Sequence, residues 1–89
     1  MYSQSQIENI FFDVYPNPSS RSFNIYVELP TTNNIKITVF DINGRVVKEI
    51  SIDNFISQLF TFDDFPSGIY TVLLNTDNER IKRNIVIAK

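Results

Sequence analysis

The sequence predicts an all-β domain, an immunoglobulin-like or fibronectin-like β-sandwich of about seven short antiparallel strands, and three observations carry that expectation. Apolar residues recur with period two in one run after another, and no stretch shows a helical period. Clusters of turn-forming residues separate these runs at roughly ten-residue spacing. At the centre, Val39-Phe40-Asp41-Ile42-Asn43-Gly44-Arg45-Val46-Val47 places Asn-Gly between two apolar β-branched runs, a strong short-range hairpin signal. A small barrel is the competing architecture. The chain has no internal repeat and no low-complexity tract.

Met1 to Asn9 is polar and aperiodic and reads as a linker or the remnant of an expression start, so the domain is expected to span residues 10–89. Phe11, Phe12, Val14 and Tyr15 form a short strand that stops at Pro16-Asn17-Pro18-Ser19-Ser20, where two prolines remove donors and impose a bend. Phe23, Ile25, Val27 and Leu29 then alternate with Ser22, Asn24, Tyr26 and Glu28, the cleanest period-two pattern in the chain. Pro30 to Asn34 is a loop by composition. Ile35, Ile37 and Val39 resume the alternation and feed the central hairpin, whose return arm runs from Val46 to Ile52 with a bulge near Val47-Lys48. Asp53-Asn54 is expected to break that arm, and Gln58 to Phe62 to form the next strand. Pro66-Ser67-Gly68 makes a turn. Tyr70, Val72 and Leu74 alternate with Ile69, Thr71 and Leu73 in a strand apolar enough on both sides to be central. A turn at Asn75 to Glu79 leads to a last strand holding Ile81, Ile85, Val86 and Ile87.

The chain of 89 residues contains 43% hydrophobic residues, including eight Phe and four Tyr, enough to build one core. Eight basic and ten acidic residues leave a net charge of −2 with neither sign concentrated, which argues against a nucleic-acid partner. There is no Cys and no His, which removes thiolate and imidazole ligands, their nucleophile chemistry and the usual general base near pH 7. No apolar run approaches the ~18 residues of a transmembrane helix, and membrane insertion is not expected. The first nine residues lack the basic and apolar regions of a signal peptide.

No catalytic, cofactor-binding or metal site is expected. Asp53, Asp63 and Asp64 offer carboxylates but no calcium-loop spacing, and acidic residues in β-turns are ordinary. Ser19, Ser20 and Ser67 have no base. Phe23, Phe60, Phe62 and Tyr70 fall on apolar faces and belong to the core. Tyr26 and Phe40 lie on the polar side of their strands, either covered by a loop or exposed for contact. Arg80, Lys82, Arg83 and Lys89 surround the last strand, where cations discourage strand addition at an edge.

Four blocks in order carry a resemblance: Tyr15-Pro16-Asn17-Pro18-Ser19-Ser20, Val39 to Val47, Phe65-Pro66-Ser67-Gly68-Ile69-Tyr70-Thr71-Val72, and Lys82 to Lys89 at the end of the chain. Together they resemble the type A C-terminal sorting domain of the type IX (Por) secretion system of Bacteroidetes, from about Val14 to the last residue. The resemblance implies a targeting module, not an enzyme. Its partners would be an N-terminally fused cargo protein, the outer-membrane type IX translocon and a sortase-like signal peptidase. The cargo would cross the periplasm and end at the cell surface or released, after a cut in or upstream of Ser3 to Asn9. Met1 would then begin an excised piece.

Residue by residue, the resemblance assigns Tyr15, Pro16, Asn17 and Pro18 to the entry motif, Asp41, Gly44 and Arg45 to the central turn, Pro66, Gly68 and Tyr70 to the late turn, and Lys82 and Lys89 to the terminal motif. Two positions depart from the family pattern: Arg21 stands where a glycine is frequent, and Phe65 where a leucine is. Because Gly44, Gly68, Pro16 and Pro18 have structural work to do, recognition is expected in Lys82 to Lys89, whose exposed strand would offer backbone groups and charge. The alternative is a fibronectin-like accessory or adhesive module that binds a glycan or partner protein through Tyr26 and Phe40.

Overall fold

A computed structural model of the chain describes residues 10–18, 20, 22–63 and 65–88. Its strands are β1 (Phe11–Tyr15), β2 (Phe23–Phe40), β3 (Val46–Phe62), β4 (Gly68–Asn75) and β5 (Arg80–Ile87). All pairings are antiparallel and belong to one sheet. β3 runs along one edge of β2 from Phe23↔Phe62 to Phe40↔Val46. The other edge of β2 is shared, with β1 against Asn24–Glu28 and β4 against Lys36–Phe40. β5 extends the sheet beyond β4.

Five strands therefore replace the expected seven. Residues 23–29 and 35–40 are two halves of β2, and residues 46–52 and 58–62 lie in two halves of β3. The Pro30–Asn34 segment and Asp53-Asn54 are bends within strands and not loops between them. At these bends the register slips, from Glu28↔Ser57 to Asn33↔Phe55 and then to Ile35↔Ile52. Pro30, which has no N–H to place in a ladder, falls in the unpaired stretch of β2. Asn54 takes a left-handed conformation (φ 56°), which asparagine tolerates better than most residues. Because the irregularities in the two strands face each other, the chains deform together and stay side by side. Side chains brace the bend: the Asn54 N–H donates to Asn34 Oδ1 (3.2 Å) and the Asp77 N–H donates to Asn33 Oδ1 (2.8 Å).

The bends curl the sheet around a single core. Alternation supplies that core as expected, with Phe23, Ile25, Val27 and Leu29 in the first half of β2 and Ile35, Ile37 and Val39 in the second. β4 contributes Tyr70, Val72 and Leu74, and β5 contributes Ile85 and Ile87. Contacts across the curl show that the two halves meet. The Arg83 guanidinium of β5 lies 5.4 Å from the Phe12 ring of β1, and Lys48 near the start of β3 lies 6.0 Å from the Phe62 ring at its end. Phe23, Phe62, Phe65 and Tyr70 form a chain of ring contacts that joins the ends of β2 and β3 to the start of β4. The expected bulge is present. Val39 pairs with Lys48 and Phe40 with Val46, which leaves Val47 as the extra residue.

Ile37 is buried where β2 is flanked on both edges, by β3 and β4. Ile37→Ala should cost about 2–5 kcal/mol by combining lost transfer energy with a cavity that the sheet cannot collapse to fill. The neighbouring Lys36 forms an exposed ion pair with Glu49 (3.0 Å), so Lys36→Ala should cost less than about 1 kcal/mol. Urea unfolding at pH 7 measures both, and equal losses would contradict this placement of the core.

Candidate functional site

The central turn is built around one carboxylate. Gly44 N–H donates to the Asp41 carbonyl (3.0 Å) and Asp41 N–H to the Arg45 carbonyl (2.9 Å), which closes the hairpin. The Asp41 side chain then takes three more donors: the Asn43 N–H (2.9 Å) and Arg45 N–H (3.0 Å) on Oδ1, and Arg45 Nε on Oδ2 (3.1 Å). An aspartate that accepts from the amide two residues on forms an Asx turn, and the paired arginine locks it. The Arg45 N–H is the main reason the Asp41 carboxyl is held below its ordinary value, with Asn43 N–H and the Arg45 guanidinium adding to it and partial desolvation opposing it. Gly44 sits at φ 84° with open space where a Cβ would lie. Backbone conformation, and not crowding, requires glycine there.

The late turn is held by Tyr70, whose buried ring packs edge-on against Phe65 (5.2 Å) and whose hydroxyl donates to the Pro66 carbonyl (2.7 Å). Between the two turns lies an open groove of about 560 Å³. Asp41, Ile42, Arg45 and Val47 line one side, and Phe65, Pro66, Gly68, Ile69 and Tyr70 the other. Five residues assigned from the sequence, Asp41, Arg45, Pro66, Gly68 and Tyr70, thus meet at one groove, with Gly44 in the turn beside it.

The entry motif acts elsewhere at the same end of the molecule. After β1 the chain passes through Tyr15-Pro16 and Asn17-Pro18, both cis, and carries Asn17 to the outer edge of β5. There its carboxamide bonds like a piece of strand: Asn17 Nδ2 donates to the Asn84 carbonyl (3.2 Å), and the Val86 N–H donates to Asn17 Oδ1 (3.0 Å). Antiparallel alternation directs these backbone groups away from β4. Two residues further back along the strand, Arg83 Nη1 donates to the Lys82 carbonyl (2.9 Å). Along the free edge of β5 the Lys82 and Asn84 carbonyls and the Val86 N–H are thus engaged by side chains. Strand addition there, the route expected from the sequence, would have to displace these three bonds.

Lys82 is exposed on β5 and makes no ion pair among the described residues, while Lys89 lies outside them, as do Ser19, Arg21 and Asp64. Tyr26 is half-buried, edge-on to Phe11 at 5.8 Å, and its hydroxyl donates to Glu28 Oε1 (2.8 Å), the leading reason that its own ionisation is pushed up. Phe40 is also half-buried. Among the described residues no group of three or more Asp, Glu, His or Cys is placed to hold a metal ion. Two features went unread in the sequence. Asn17 bonds to partners 67 and 69 residues away, which no local pattern reveals. The role of Asp41 had a signal, an Asp two residues before Asn43, that the Asn-Gly pair overshadowed.

Two outcomes follow for these contacts. A carboxylate whose folded pKa is lowered contributes stability that is full above its ordinary value of 3.8 and lost as pH falls through the lowered one. Wild type should exceed Asp41→Asn in urea midpoint at pH 7, and the gap should close as pH is taken below 3.8; a pH-independent gap would refute the charge-based account. Asn17→Ala should leave the Val86 amide without its acceptor and speed its hydrogen exchange by about tenfold, the equivalent of one ordinary hydrogen bond. Unchanged protection at Val86 would mean that the carboxamide does not close the edge.

The chain is 25% identical over 75 residues to an endo-acting ulvan lyase of Formosa agariphila, a match that covers 83% of this chain and 14% of that protein. The chain thus corresponds to a small part of its relative. Residues 13–88, which include both turns, the Asn17 contact and all of β5, match the family described as the secretion system C-terminal sorting domain. This chain belongs to that family and is a C-terminal sorting signal of the type IX secretion system.

Proposed function

We propose that the domain is read by the outer-membrane type IX translocon at the end of the fold where its motifs converge, and that it thereby directs an N-terminally fused cargo outward. The observation that carries this reading is the convergence itself. Residues from the central turn and the late turn share one groove, while Asn17 fastens the entry motif to β5 at the same end. None of these residues forms a constellation for chemistry, and the domain acts as a signal, not as a catalyst.

In this reading the cargo passes through the periplasm before export, a sortase-like peptidase cuts in or upstream of Ser3–Asn9, and the cargo is released or retained at the cell surface. The ulvan lyase relative suggests the type of cargo: an enzyme much larger than the segment that matches this chain. We read the curled sheet as a β-sandwich of immunoglobulin-like form in which β2 and β3 each lend a segment to both layers.

The test is a fluorescent reporter with its own inner-membrane export signal and residues 11–89 at its C-terminus, expressed in Bacteroidetes hosts with and without a working type IX system. Reporter in the medium or on the surface of the competent host alone is the expected result. Periplasmic retention in both hosts, with the domain folded, would overturn the reading.

A further inference from the structure

The outer surface of the half-sheet formed by the start of β3, the end of β2, β4 and β5 carries an apolar stripe that no other part of the described chain covers. Alternation turns Phe40, Val46, Ile69 and Val86 away from the core that Val39, Tyr70, Val72 and Ile85 enter. Register then sets the four side by side. Phe40 pairs with Val46 on one side and Thr71 on the other, and Ile69 pairs with Val86. Ile69 stands two residues from Thr71 on the same face, which makes it the diagonal neighbour of Phe40. Val46, Ile69 and Val86 are 55%, 49% and 38% exposed, while Phe40 is half-buried beneath them. Single exposed aliphatics are ordinary, but a continuous row across four strands indicates a contact surface.

Charge identifies what the stripe would contact. The ionisable residues on this face are Lys36, Glu49, Arg80 and Lys82, three cations and one anion. Glu49 is taken by Lys36 at 3.0 Å, which leaves Arg80 and Lys82 behind the apolar row with no ion pair among the described residues. The outward face of the other half-sheet has the opposite character, with Asp13 and Glu28 among Phe11, Tyr26 and Leu59 and no cation among the described residues. Resting on the reading of the domain as a sorting signal, we infer that the stripe is the surface on which the translocon docks, through a protein partner that presents an apolar contact flanked by carboxylates. Ile69 also lines the groove between the turns, so the surface is continuous with the motif end. A second copy offering its own acidic face would bind head to tail. Such contacts build rings or open filaments and do not suit a signal fused to cargo.

The experiment uses the reporter fusion with Ile69→Glu, Val86→Glu or Lys82→Glu, all at exposed positions, and Leu59→Glu on the opposite face as control. Each domain is checked for an unchanged thermal midpoint. Each of the three should lower secreted reporter by at least about tenfold through misplaced or reversed charge, with Lys82→Gln milder than Lys82→Glu and Leu59→Glu neutral. Secretion of folded Ile69→Glu and Lys82→Glu variants at the wild-type level would overturn the inference and leave the sorting role standing. A wild-type fusion that is not secreted would overturn both. Concentration-dependent assembly of the wild-type domain, abolished equally by Ile69→Glu and Leu59→Glu, would assign the stripe to a second copy instead.

Discussion

Every strand except β5 is hydrogen-bonded to β2, and the domain depends on that one strand keeping both of its edges satisfied over 18 residues. Such a strand would overshoot a small core if it ran straight, since at about 3.3 Å per residue it would approach 60 Å in length. The bend at 29–34 resolves this, but only because β3 bends opposite it at 53–55. A kink in one strand alone would strip the ladder on both sides. The cost of two facing irregularities is offset by side-chain amides: Asn34 bonds across to β3, and Asn33 reaches the β4–β5 turn. Polar residues that look like loop formers thus act as fasteners. Only the β2–β4 ladder joins strands that are not consecutive, although the long β2–β3 hairpin pairs residues as far apart as Phe23 and Phe62.

The core was legible from the sequence residue by residue because period-two alternation maps directly onto a curved sheet with one buried face. Phe23, Ile25, Val27 and Leu29 needed no tertiary information, nor did the bulge at Val47, where the apolar pattern itself skips a beat. Strand count was not legible. Proline, asparagine and aspartate report that a backbone leaves ideal β geometry, yet say nothing about whether it returns to the same partner afterwards. At Pro30–Asn34 and Asp53-Asn54 it does return, and seven segments become five strands. The site divided along similar lines. The motif residues were named, but Asn17 looked like a turn residue between prolines, and its work at β5 emerges only when the sheet has curled far enough to bring β1 beside it.

The described contacts give most of the motif residues a mechanical role. Asp41 and Arg45 close the central hairpin, Gly44 supplies a left-handed backbone, Tyr70 ties down the late turn, and Asn17 fills hydrogen bonds that β5 would otherwise expose. Pro16 and Pro18 flank Asn17 and have no N–H of their own to leave unsatisfied beside that edge. A pattern of this kind tells a partner only that the domain is folded. The side chains that these roles leave free are Ile69, Val86 and Lys82, which sit among the motif residues without bracing them.

A domain built on one open sheet has to manage its edges, and the two edges here are managed differently. β5 has part of its outer backbone capped by side chains, with Asn17 at Asn84 and Val86 and Arg83 at Lys82. β3 pairs with β2 alone among the described residues, and its outer edge runs for 17 residues with Val46, Val47, Ile56 and Leu59 exposed along it. An unbroken edge of that length would template aggregation. It is not unbroken: the bulge at Val47 and the left-handed Asn54 divide it into short pieces of different twist, and Lys48, Glu49 and Asp53 place charge between them. The irregularities that let the sheet curl around its core therefore also keep β3 from pairing with a neighbour. Curvature and edge protection come from the same few residues, which is how a chain of 89 residues without a cysteine, and with no helix among its described residues, meets both demands.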